Sequence, residues 1–535
     1  MKSPGSAGVS PVPARGRHTT GTGETPALPV VPVPADFSQT LWEQLSERSE
    51  AWTYTDSVTS ILEAPNSAVA PAAAIDVLLI STYELGRQPF GLASPAAWLR
   101  DAGATVTCLD LAVQPLDEAA VAAADLVAFY VPMHTAMRLT APLLARIKAL
   151  NPRARVCCYG LYAPLNAGYL RDLGVDTILG GEFEEGLVSL VDRLSSLSSA
   201  RTGAPSTGEP LISLGKQRFR TPVREGLPGL EHYAYLTLGD GARRTVGYTE
   251  ATRGCKHLCR HCPIPPVYGG AFRVVQAEVV LEDIARQAAA GARHITFGDP
   301  DFFNGQAHAL RIVRSLHERC PDLTYDVTIK VEHLLKHARL LPTLRETGCL
   351  LVTSAVEAID EATLAAYDKR HTRDDFIRSV DLCRAAGLTL NPTFVTFGPW
   401  TTLDSYIDLL QLIRRLDLVD AVAPIQYGIR LLIPAGSLLL DLPDVRDLVG
   451  PYDEEALAYP WAHPDPRVDS LCADVLAAVQ RGQKQGKERR DIYREVWVLA
   501  HEARGGVARD TLALLEVTPT PPGAIVPHLS EPWYC

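Results

Sequence analysis

Two long stretches of this chain alternate short apolar runs with amphipathic segments, and that alternation constrains the fold more than any other feature. In the first stretch, five apolar runs are predicted to be strands: Ile75–Ser81, Thr105–Leu111, Asp125–Pro132, Arg155–Tyr159 and Asp176–Leu179. Segments with helical spacing lie between and after them, at Ser94–Ala102, Thr140–Leu150, Leu170–Leu173 and Glu185–Leu197. Parallel strands joined by helices are covered on both faces, so this stretch predicts a doubly wound parallel sheet.

The second stretch repeats the pattern in six strand and helix units. Its predicted strands are Thr245–Thr249, His294–Phe297, Tyr325–Ile329, Leu350–Val356, Thr389–Phe397 and Val422–Ile433. The predicted helices are Ala277–Ala290, Ala307–Glu318, Ala338–Thr347, Glu361–Tyr367, Arg373–Ala386 and Leu403–Leu416. Consecutive units of this kind indicate a partial (β/α)6 barrel. The fold class that we predict is therefore α/β, with a helical region after the barrel.

Composition shifts divide the chain into six predicted regions. Residues 1–36 are rich in Pro, Gly, Ser and Thr, which is typical of a disordered leader. The other regions are a helical lead-in at 37–74, a doubly wound domain at 75–197, a linker at 198–229, a barrel at 230–440, and a helical C-terminal region with a tail at 441–535.

Charge and hydropathy exclude some partners. The formal net charge is -11, the opposite of the balance that phosphate binding requires, so we expect no nucleic-acid partner. No apolar run approaches the roughly 18 residues of a membrane-spanning helix, and the leader lacks the apolar core of a secretory signal. We therefore expect a cytoplasmic protein with no membrane partner and with reduced thiols among its 11 cysteines.

The sequence Thr252-Arg-Gly-Cys255-Lys-His-Leu-Cys259-Arg-His-Cys262-Pro follows a predicted strand and places three thiols on one loop. Three thiolates so close together can ligate three irons of a cluster and leave a fourth iron without a protein ligand. The alternative is a zinc site with His257 or His261 as fourth ligand, but zinc usually takes two separated ligand pairs. The spacing favours a [4Fe–4S] cluster.

Cys-x3-Cys-x2-Cys after the first strand of a βα barrel resembles the signature of the radical S-adenosylmethionine superfamily. The resemblance implies S-adenosylmethionine chelated at the open iron and cleaved after a one-electron reduction, with the electron coming from an external reductant. An aromatic residue usually precedes the third cysteine in that family, and His261 stands there in this chain.

The resemblance also implies residues for binding S-adenosylmethionine at the ends of later strands. Asp299 and Asp301 follow the second strand, where the family contacts the methionyl amine, although either could simply cap a helix. Lys330 and Glu357 end the third and fourth strands and are candidates for the ribose hydroxyls or the carboxylate, with a solvated salt bridge as the alternative. Arg430, near the last strand, could hold the methionyl carboxylate or pair structurally.

The first domain resembles the cobalamin-binding domain that precedes many such barrels. The resemblance rests on Tyr159-Gly-Leu-Tyr-Ala163 and on Gly174-Val-Asp-Thr-Ile-Leu-Gly-Gly181-Glu182, and it makes Gly160, Gly180 and Gly181 candidate cofactor contacts. The usual Asp-x-His-x-x-Gly motif is replaced by Ser81-Thr-Tyr-Glu-Leu-Gly86, which has no histidine. Cobalamin could bind without a protein imidazole, or the domain could lack the cofactor. His134 follows the third strand, and a lone loop histidine is more often a surface residue than a ligand.

The chain ends in Ser530-Glu-Pro-Trp-Tyr-Cys535. This end, together with Thr82-Tyr-Glu-Leu-Gly-Arg-Gln-Pro-Phe-Gly91, is similar to a radical S-adenosylmethionine subfamily with a Cys-Cys-Ala-Glu-Pro or Cys-selenocysteine-Ala-Glu-Pro tail. The resemblance implies that the natural chain continues through selenocysteine after Cys535 and makes Cys535 a tentative catalytic thiol. The alternative is a natural end with an incidental thiol.

The function that we predict from these features is reductive cleavage of S-adenosylmethionine with cobalamin-associated methyl transfer to a small molecule. One alternative is transfer of a 3-amino-3-carboxypropyl group without cobalamin. Another is a non-catalytic iron–sulfur protein that handles electrons or metals, against which the six βα units argue because a simple carrier needs no barrel.

Overall fold

The computed structural model describes residues 74–198, 208–506 and 526–530. The predicted leader at 1–36, nearly all of the predicted lead-in at 37–74, and Cys535 lie outside these ranges. No helix within the described part is long and apolar enough to cross a lipid bilayer.

The first domain is built on a parallel sheet of six strands in the order β2-β1-β3-β4-β5-β6. The strands are β1 Asp76–Ser81, β2 Thr105–Asp110, β3 Leu126–Tyr130, β4 Arg155–Tyr159, β5 Thr177–Gly181 and β6 Ile212–Ser213. The helices are α1 Phe90–Asp101, α2 Glu118–Ala123, α3 His134–Leu150, α4 Tyr162–Leu165, α5 Ala167–Asp172 and α6 Glu184–Ser198. Strand order reverses between β1 and β3, which creates a crevice at the carboxyl edge of the sheet.

Helices cover both faces of this sheet, because successive strand residues point to opposite sides. Val127 and Cys158 belong to the apolar cluster on one face, and Ala128 and Cys157 belong to the cluster on the other. The adjacent cysteines Cys157 and Cys158 therefore lie on opposite faces of the sheet. The segment 198–229, which the sequence predicts to be a linker, contains β6, the edge strand of this sheet.

The second sheet has seven strands in the order β14-β13-β12-β11-β8-β7-β15. Its strands are β7 Tyr235–Thr237, β8 Arg243–Thr249, β11 His294–Phe297, β12 Thr324–Thr328, β13 Cys349–Glu357, β14 Thr389–Phe394 and β15 His528–Leu529. Strands β8, β11, β12, β13 and β14 are parallel, whereas β7 is antiparallel to β8 and β15 is antiparallel to β7. A separate antiparallel ribbon joins β9 Thr252–Gly254 to β10 Phe272–Val274.

Helices pack outside this curled sheet and follow it to the C-terminal region. They are α7 Ile264–Tyr268, α8 Ala277–Ala289, α9 Gln306–Arg319, α10 Val331–Lys336, α11 Leu341–Glu346, α12 Glu361–Ala366, α13 Arg373–Ala385, α14 Leu403–Arg415, α15 Pro443–Leu448, α16 Pro466–Lys484 and α17 Arg489–Arg504. The predicted α/β class, with a doubly wound sheet followed by a partial barrel and a helical end, is confirmed.

The predicted sixth barrel strand at Val422–Ile433 is wrong, because this segment forms no strand. This segment forms a 3-10 turn at Pro424–Tyr427 and then a single bridge between Phe397 and Arg430. Proline lacks the N–H that a ladder needs and is found mainly at sheet edges, so Pro424 prevents a continuous strand.

Candidate active site

The cysteine loop begins at the carboxyl end of β8, directly after the β9 strand of the ribbon. Gly254 has a φ of +73°, and a Cβ there would lie 2.4 Å from the Tyr268 ring, so only glycine fits before the first cysteine. Cys255 and Cys259 are buried, and Cys262 is partly exposed. The loop therefore carries its three sulfurs at the mouth of the half-barrel, as the sequence predicts.

Another group of possible metal ligands lies beside the cysteine loop. In the described part of the chain, the donor atoms of His257, Asp301 and His333 lie within 4.8 Å of one another. The expectation that the three cysteines hold a cluster, whose ligands bind separate irons, rests on their spacing in the sequence.

Asp299 lies at the end of β11 and supports the cysteine loop from below. Its carboxylate accepts hydrogen bonds from the Ala251 amide at 3.0 Å and from the Thr252 hydroxyl at 2.5 Å. Burial raises the pKa of Asp299 to about 7, although these hydrogen bonds oppose the shift. Asp299 is predicted to bind the methionyl amine. In this structure both of its carboxylate oxygens accept hydrogen bonds from the chain itself.

Asp301 connects the loop to the neighbouring strand end. It accepts from the Phe303 amide at 3.1 Å and lies 3.1 Å from His257 Nε2. His333 Nδ1 is 2.6 Å from the same carboxylate but lacks hydrogen-bond geometry. Burial alone would raise the pKa of Asp301, but the two histidines outweigh it and lower that pKa. Lys330 extends this group, because its Nζ lies 3.2 Å from His257 Nδ1.

Glu357 ends β13 and contacts the loop through His261. Its Oε1 lies 3.1 Å from His261 Nε2 and 3.4 Å from Lys369 Nζ. Burial opposes ionisation, but Lys369 and His261 dominate and lower the pKa of Glu357 to about 2. Its φ of +69° is a strained conformation for a residue with a side chain, and such strain is commonly found at functional sites.

The segment after α12 turns three side chains inward beside Glu357. Asp368 and Arg370 both have left-handed φ angles, and they alternate with the buried residues Tyr367, Lys369 and His371. These residues could not be predicted from the sequence, because a short segment between two helices carries no periodic signal. Arg260 fixes the segment to the cysteine loop by donating its amide to the Tyr367 carbonyl at 3.0 Å.

Several buried polar atoms around this segment have no hydrogen-bond partner. They are His261 Nδ1, the Tyr367 hydroxyl and both ring nitrogens of His371. Burial lowers the pKa of His371 to about 4, so its ring is neutral near pH 7. Buried polar atoms in folded proteins are nearly always hydrogen-bonded, and a cluster of exceptions indicates a missing polar ligand or water. S-adenosylmethionine, with an amine, a carboxylate, hydroxyls and an adenine, has groups of that chemistry.

Arg430 does not join this group of polar atoms. Its guanidinium donates to Asp469 in α16 and to the Trp461 carbonyl at 2.9 Å, and it stacks 3.7 Å from the centre of the Trp461 ring. These contacts are the structural pairing that the sequence allows for Arg430 as the alternative to carboxylate binding.

A buried ionic network connects the carboxyl edge of the first domain to the cysteine loop. Arg253, two residues before Cys255, lies 3.5 Å from Glu182, which follows β5, and 2.7 Å from Glu184, which begins α6. It also lies 2.6 Å from Glu250 at the end of β8. Burial is the largest effect on all three glutamates and raises the pKa of Glu182 and Glu250, whereas Arg253 lowers that of Glu184.

The three glycines that the cobalamin resemblance singled out contact the chain itself. A Cβ on Gly180 would lie 2.4 Å from Pro164, and one on Gly181 would lie 2.2 Å from the Ser213 carbonyl. On Gly160 a Cβ would lie 2.9 Å from the Val131 carbonyl. Close packing within the domain therefore explains these glycines, and they carry no argument for a ligand.

His134 is not available as a cobalt ligand in this arrangement. Its Nε2 lies 2.7 Å from the Ala456 carbonyl, on a turn of the C-terminal region, and burial lowers its pKa to about 4. The aromatic rings of Tyr130, Tyr159 and Phe183 pack together at the same carboxyl edge, with centroids 4.9–5.8 Å apart. All three rings are buried in the apolar cluster that covers one face of the sheet.

Residues 249–413 match the model of the Radical SAM superfamily, so the chain contains a radical SAM domain. The hopanoid C-3 methylase of Methylococcus capsulatus is 24% identical over 335 residues, which are 60% of this chain and 64% of that protein. This chain thus matches slightly less than two thirds of that relative's length.

Two solved structures have a similar fold. One is TsrM from Kitasatospora setae, a radical S-adenosylmethionine methyltransferase with cobalamin and a [4Fe-4S] cluster bound, with a TM-score of 0.51 and 20% identity over 64% of this chain and 74% of that chain. The other is OxsB, a cobalamin-dependent S-adenosylmethionine radical enzyme with aqua-cobalamin and S-adenosylmethionine bound, with a TM-score of 0.61 and 13% identity over 83% of this chain and 76% of that chain.

Proposed function

We propose that this protein is a radical enzyme that cleaves S-adenosylmethionine reductively and transfers a methyl group, with cobalamin, to a small molecule. The observation that carries the proposal is the cysteine loop at the mouth of the half-barrel, bordered by buried polar atoms without partners. The radical SAM match over 249–413 and the methylase among the relatives support the same chemistry.

In this proposal each group at the mouth has its own role. Cys255, Cys259 and Cys262 would hold a [4Fe–4S] cluster, which would supply the electron for the reductive cleavage of S-adenosylmethionine. Asp299 fixes the backbone before the loop, since it accepts from Ala251 and Thr252. Asp301, Lys330 and Glu357 border the space beside the loop, where we propose that they orient the polar groups of S-adenosylmethionine.

We further propose that residues 75–197 bind cobalamin at the carboxyl edge of their sheet and that residues 230–440 form the catalytic barrel. Cobalamin supplies a cobalt centre that carries the methyl group. The buried contacts from Arg253 to Glu184 and Glu250 support this arrangement, because they bring the two carboxyl edges together. The chain's own role is to hold both cofactors in one enclosed space and to exclude water from it.

The test is the purification of anaerobic protein with each cluster cysteine changed to alanine. We expect about four irons per chain in the wild type, and for Cys259→Ala a loss of cluster absorbance and of S-adenosylmethionine cleavage with dithionite. Cys320→Ala is the matched control, because Cys320 is a partly exposed thiol at the end of α9. Full iron content in Cys259→Ala would contradict the assignment. Methylthioadenosine as product, without bound corrinoid, would favour aminocarboxypropyl transfer instead.

We also propose that the chain belongs to the subfamily with the Cys-Cys-Ala-Glu-Pro or selenocysteine tail and that Cys535 acts near the mouth. Strand β15 is antiparallel to β7 and β7 to β8, so β15 runs towards the carboxyl edge of the sheet. Tyr235, which bonds Ser530, pairs with Thr245, about 13 Å along the strand from Thr249. The five residues after Ser530 span up to about 17 Å.

Alkylation rates test this tail proposal. Saturating S-adenosylmethionine should slow the reaction of iodoacetamide with Cys535 in cluster-loaded protein and leave the rate at Cys320 unchanged, as peptide mass spectrometry would measure. Equal rates at Cys535 with and without S-adenosylmethionine would place this thiol away from the mouth.

A further inference from the structure

Three metal-binding side chains from separate elements converge beside the cysteine loop. His257 lies on the loop itself, between the first two cysteines. Asp301 follows β11, and His333 lies in the first turn of α10. One donor atom of each side chain lies within 4.8 Å of the other two. Holding a cluster on the three cysteines does not require two imidazoles on one carboxylate, so this convergence needs its own explanation.

The distances within the group fit one metal ion. Zinc binds imidazole nitrogen and carboxylate oxygen at about 2.0–2.2 Å, which places neighbouring tetrahedral donors about 3.4 Å apart. His257 Nε2 lies 3.1 Å from Asp301 Oδ2, and His333 Nδ1 lies 2.6 Å from the same oxygen. The separations, from 2.6 Å to at most 4.8 Å, bracket the value that a zinc ion requires.

His333 supplies a second observation that points to a ligand. The residue is only 6% exposed, and its Nδ1 has no hydrogen-bond partner. The contact between this atom and Asp301 lacks hydrogen-bond geometry, so no N–H is directed at the carboxylate. Buried polar atoms are nearly always partnered in folded proteins. A cation bound by both atoms would satisfy the nitrogen and bring it into favourable contact with the oxygen.

The surroundings of His257 provide for its other ring nitrogen. A histidine that binds a metal through one nitrogen usually donates from the other to a carboxylate. His257 Nδ1 lies 3.8 Å from Glu332 and 3.2 Å from Lys330 Nζ. Lys330 itself lies 3.4 Å from Glu332, so its ammonium can pair with that carboxylate alone. The ring can then carry its proton on Nδ1, facing Glu332, and present Nε2 to an ion.

We propose that His257, Asp301 and His333 bind a single divalent transition-metal ion, of which zinc is the best match, separately from the three cysteines. Two imidazoles and one carboxylate are the donor set of zinc sites with three protein ligands, in which water takes the fourth position. The ion ties the cysteine loop to the end of β11 and to α10. The inference goes beyond the proposed function and refines it, because Asp301 then acts by positioning the loop.

X-ray absorption at the zinc K edge of the full-length, cluster-loaded protein tests the site directly. The protein is passed over a chelating resin, given one equivalent of Zn²⁺ and desalted under anaerobic conditions. We expect about one zinc and about four irons per chain. The first shell of the zinc should contain nitrogen and oxygen at about 2.0–2.2 Å and no sulfur at about 2.3 Å. This measurement is made on the wild type, so it does not depend on the folding of a variant.

Calorimetric titration of Zn²⁺ into cluster-loaded variants measures the contribution of each ligand. Loss of an outer carboxylate partner weakens metal binding by about 10- to 100-fold, and we expect Glu332→Gln to fall in that range. His333→Ala and Asp301→Asn remove direct ligands and should weaken binding by more than about 100-fold. His337→Ala is the matched control, because its ring centre lies 5.6 Å from that of His333 but it does not belong to the donor group. Its affinity for zinc should stay within about twofold of the wild-type value.

Three results would overturn the ion site. Sulfur in the first shell would place the zinc on the cysteines, and an unchanged affinity in His333→Ala would place it elsewhere. No saturable binding by the wild type would mean that the three side chains pair with one another without a metal. Cleavage of S-adenosylmethionine with dithionite is measured on the same protein. Cleavage and four irons without bound zinc would refute the ion site alone, whereas bound zinc without cleavage would refute the proposed function alone.

Discussion

Replacement of Arg253 by methionine tests whether the first domain and the cysteine loop depend on each other. Methionine keeps most of the length and the apolar stem of the side chain but removes its charge. Glu184, which is fully buried, then loses both contacts from the guanidinium, at 2.7 and 2.9 Å, and Glu250 loses its contact at 2.6 Å. Three carboxyl groups are left near one another without a cation.

The magnitude follows from the burial of these groups. Removing one partner of a buried ion pair destabilises a protein by about 3–5 kcal/mol, because the remaining charge is uncompensated. For a domain of about 150–250 residues this lowers the unfolding midpoint by about 6–20 °C. Arg253→Lys keeps the positive charge but reaches fewer carboxylates. Its unfolding midpoint should therefore fall between those of the wild type and of Arg253→Met.

The loss should depend on pH in a defined direction. Without Arg253, burial raises the pKa values of Glu182 and Glu250 further above their unfolded values. A group whose pKa is raised on folding contributes stability that is present below its unfolded pKa and is lost as pH rises through the folded value. The difference in midpoint between variant and wild type should therefore be larger at pH 8 than at pH 6.

Anaerobic thermal unfolding of the cluster-loaded protein, followed by tryptophan fluorescence, measures this difference. Arg286→Met is the matched control, because Arg286 pairs with Glu282 on the exposed face of α8 with half of each side chain in solvent. Such a pair contributes about 0.3–0.5 kcal/mol. A shift for Arg253→Met no larger than that of the control, or a larger deficit at pH 6 than at pH 8, would refute the role assigned to this network.

Three further changes test other parts of the structure. Asp299→Asn keeps one oxygen that can accept from the Ala251 amide and replaces the other acceptor by a donor facing the Thr252 hydroxyl, so we expect a loss of about 0.5–1.5 kcal/mol. Because the pKa of Asp299 is raised to about 7, that loss should shrink between pH 6 and 8 as the wild type itself loses stability, and thermal unfolding across this range checks it. Leu457→Ala empties a buried contact between the C-terminal turn and the first domain and should cost about 2–5 kcal/mol, measured by urea unfolding. Arg430→Ala removes the ion pair with Asp469 and should destabilise the protein. The Michaelis constant for S-adenosylmethionine should stay within about twofold of the wild-type value, because the guanidinium lies away from the polar atoms at the mouth.

The elements with strong periodicity could be predicted from the sequence. The five strands of the first domain and five of the six barrel strands can each be predicted within a few residues, because runs such as Leu126–Tyr130 are apolar throughout. Strand β6 was missed because two residues give no periodic signal. The sixth barrel strand is predicted wrongly because the apolar residues of Val422–Ile433 outweigh the signal of Pro424.

The candidate site was predictable only where a motif or a strand end marked it. The cysteines and Asp299, Asp301, Lys330 and Glu357 follow strands, and parallel strands bring their carboxyl ends to one edge. Lys369 and His371 have no such mark, since left-handed residues in a short segment between helices turn them inward. Arg430 pairs with Asp469 because α16 packs beside it. No local sequence pattern predicts that α16 packs there, so the sequence could not decide between a ligand and a structural partner for Arg430.

The two sheets, taken together, explain why ionisable groups concentrate between them. Each parallel sheet directs its carboxyl edge towards the other, so the polar strand ends of both domains must be buried in one shared space. Arg253 compensates part of that charge, and Glu84, whose pKa burial raises well above its usual value, lies in the same region near Glu250. Burial favours the neutral form of Glu84, Glu182 and Glu250, and a nearby cation, such as the sulfonium of S-adenosylmethionine, would favour their ionised form. The arrangement that encloses both proposed cofactors therefore also provides the electrostatic preference for one of them.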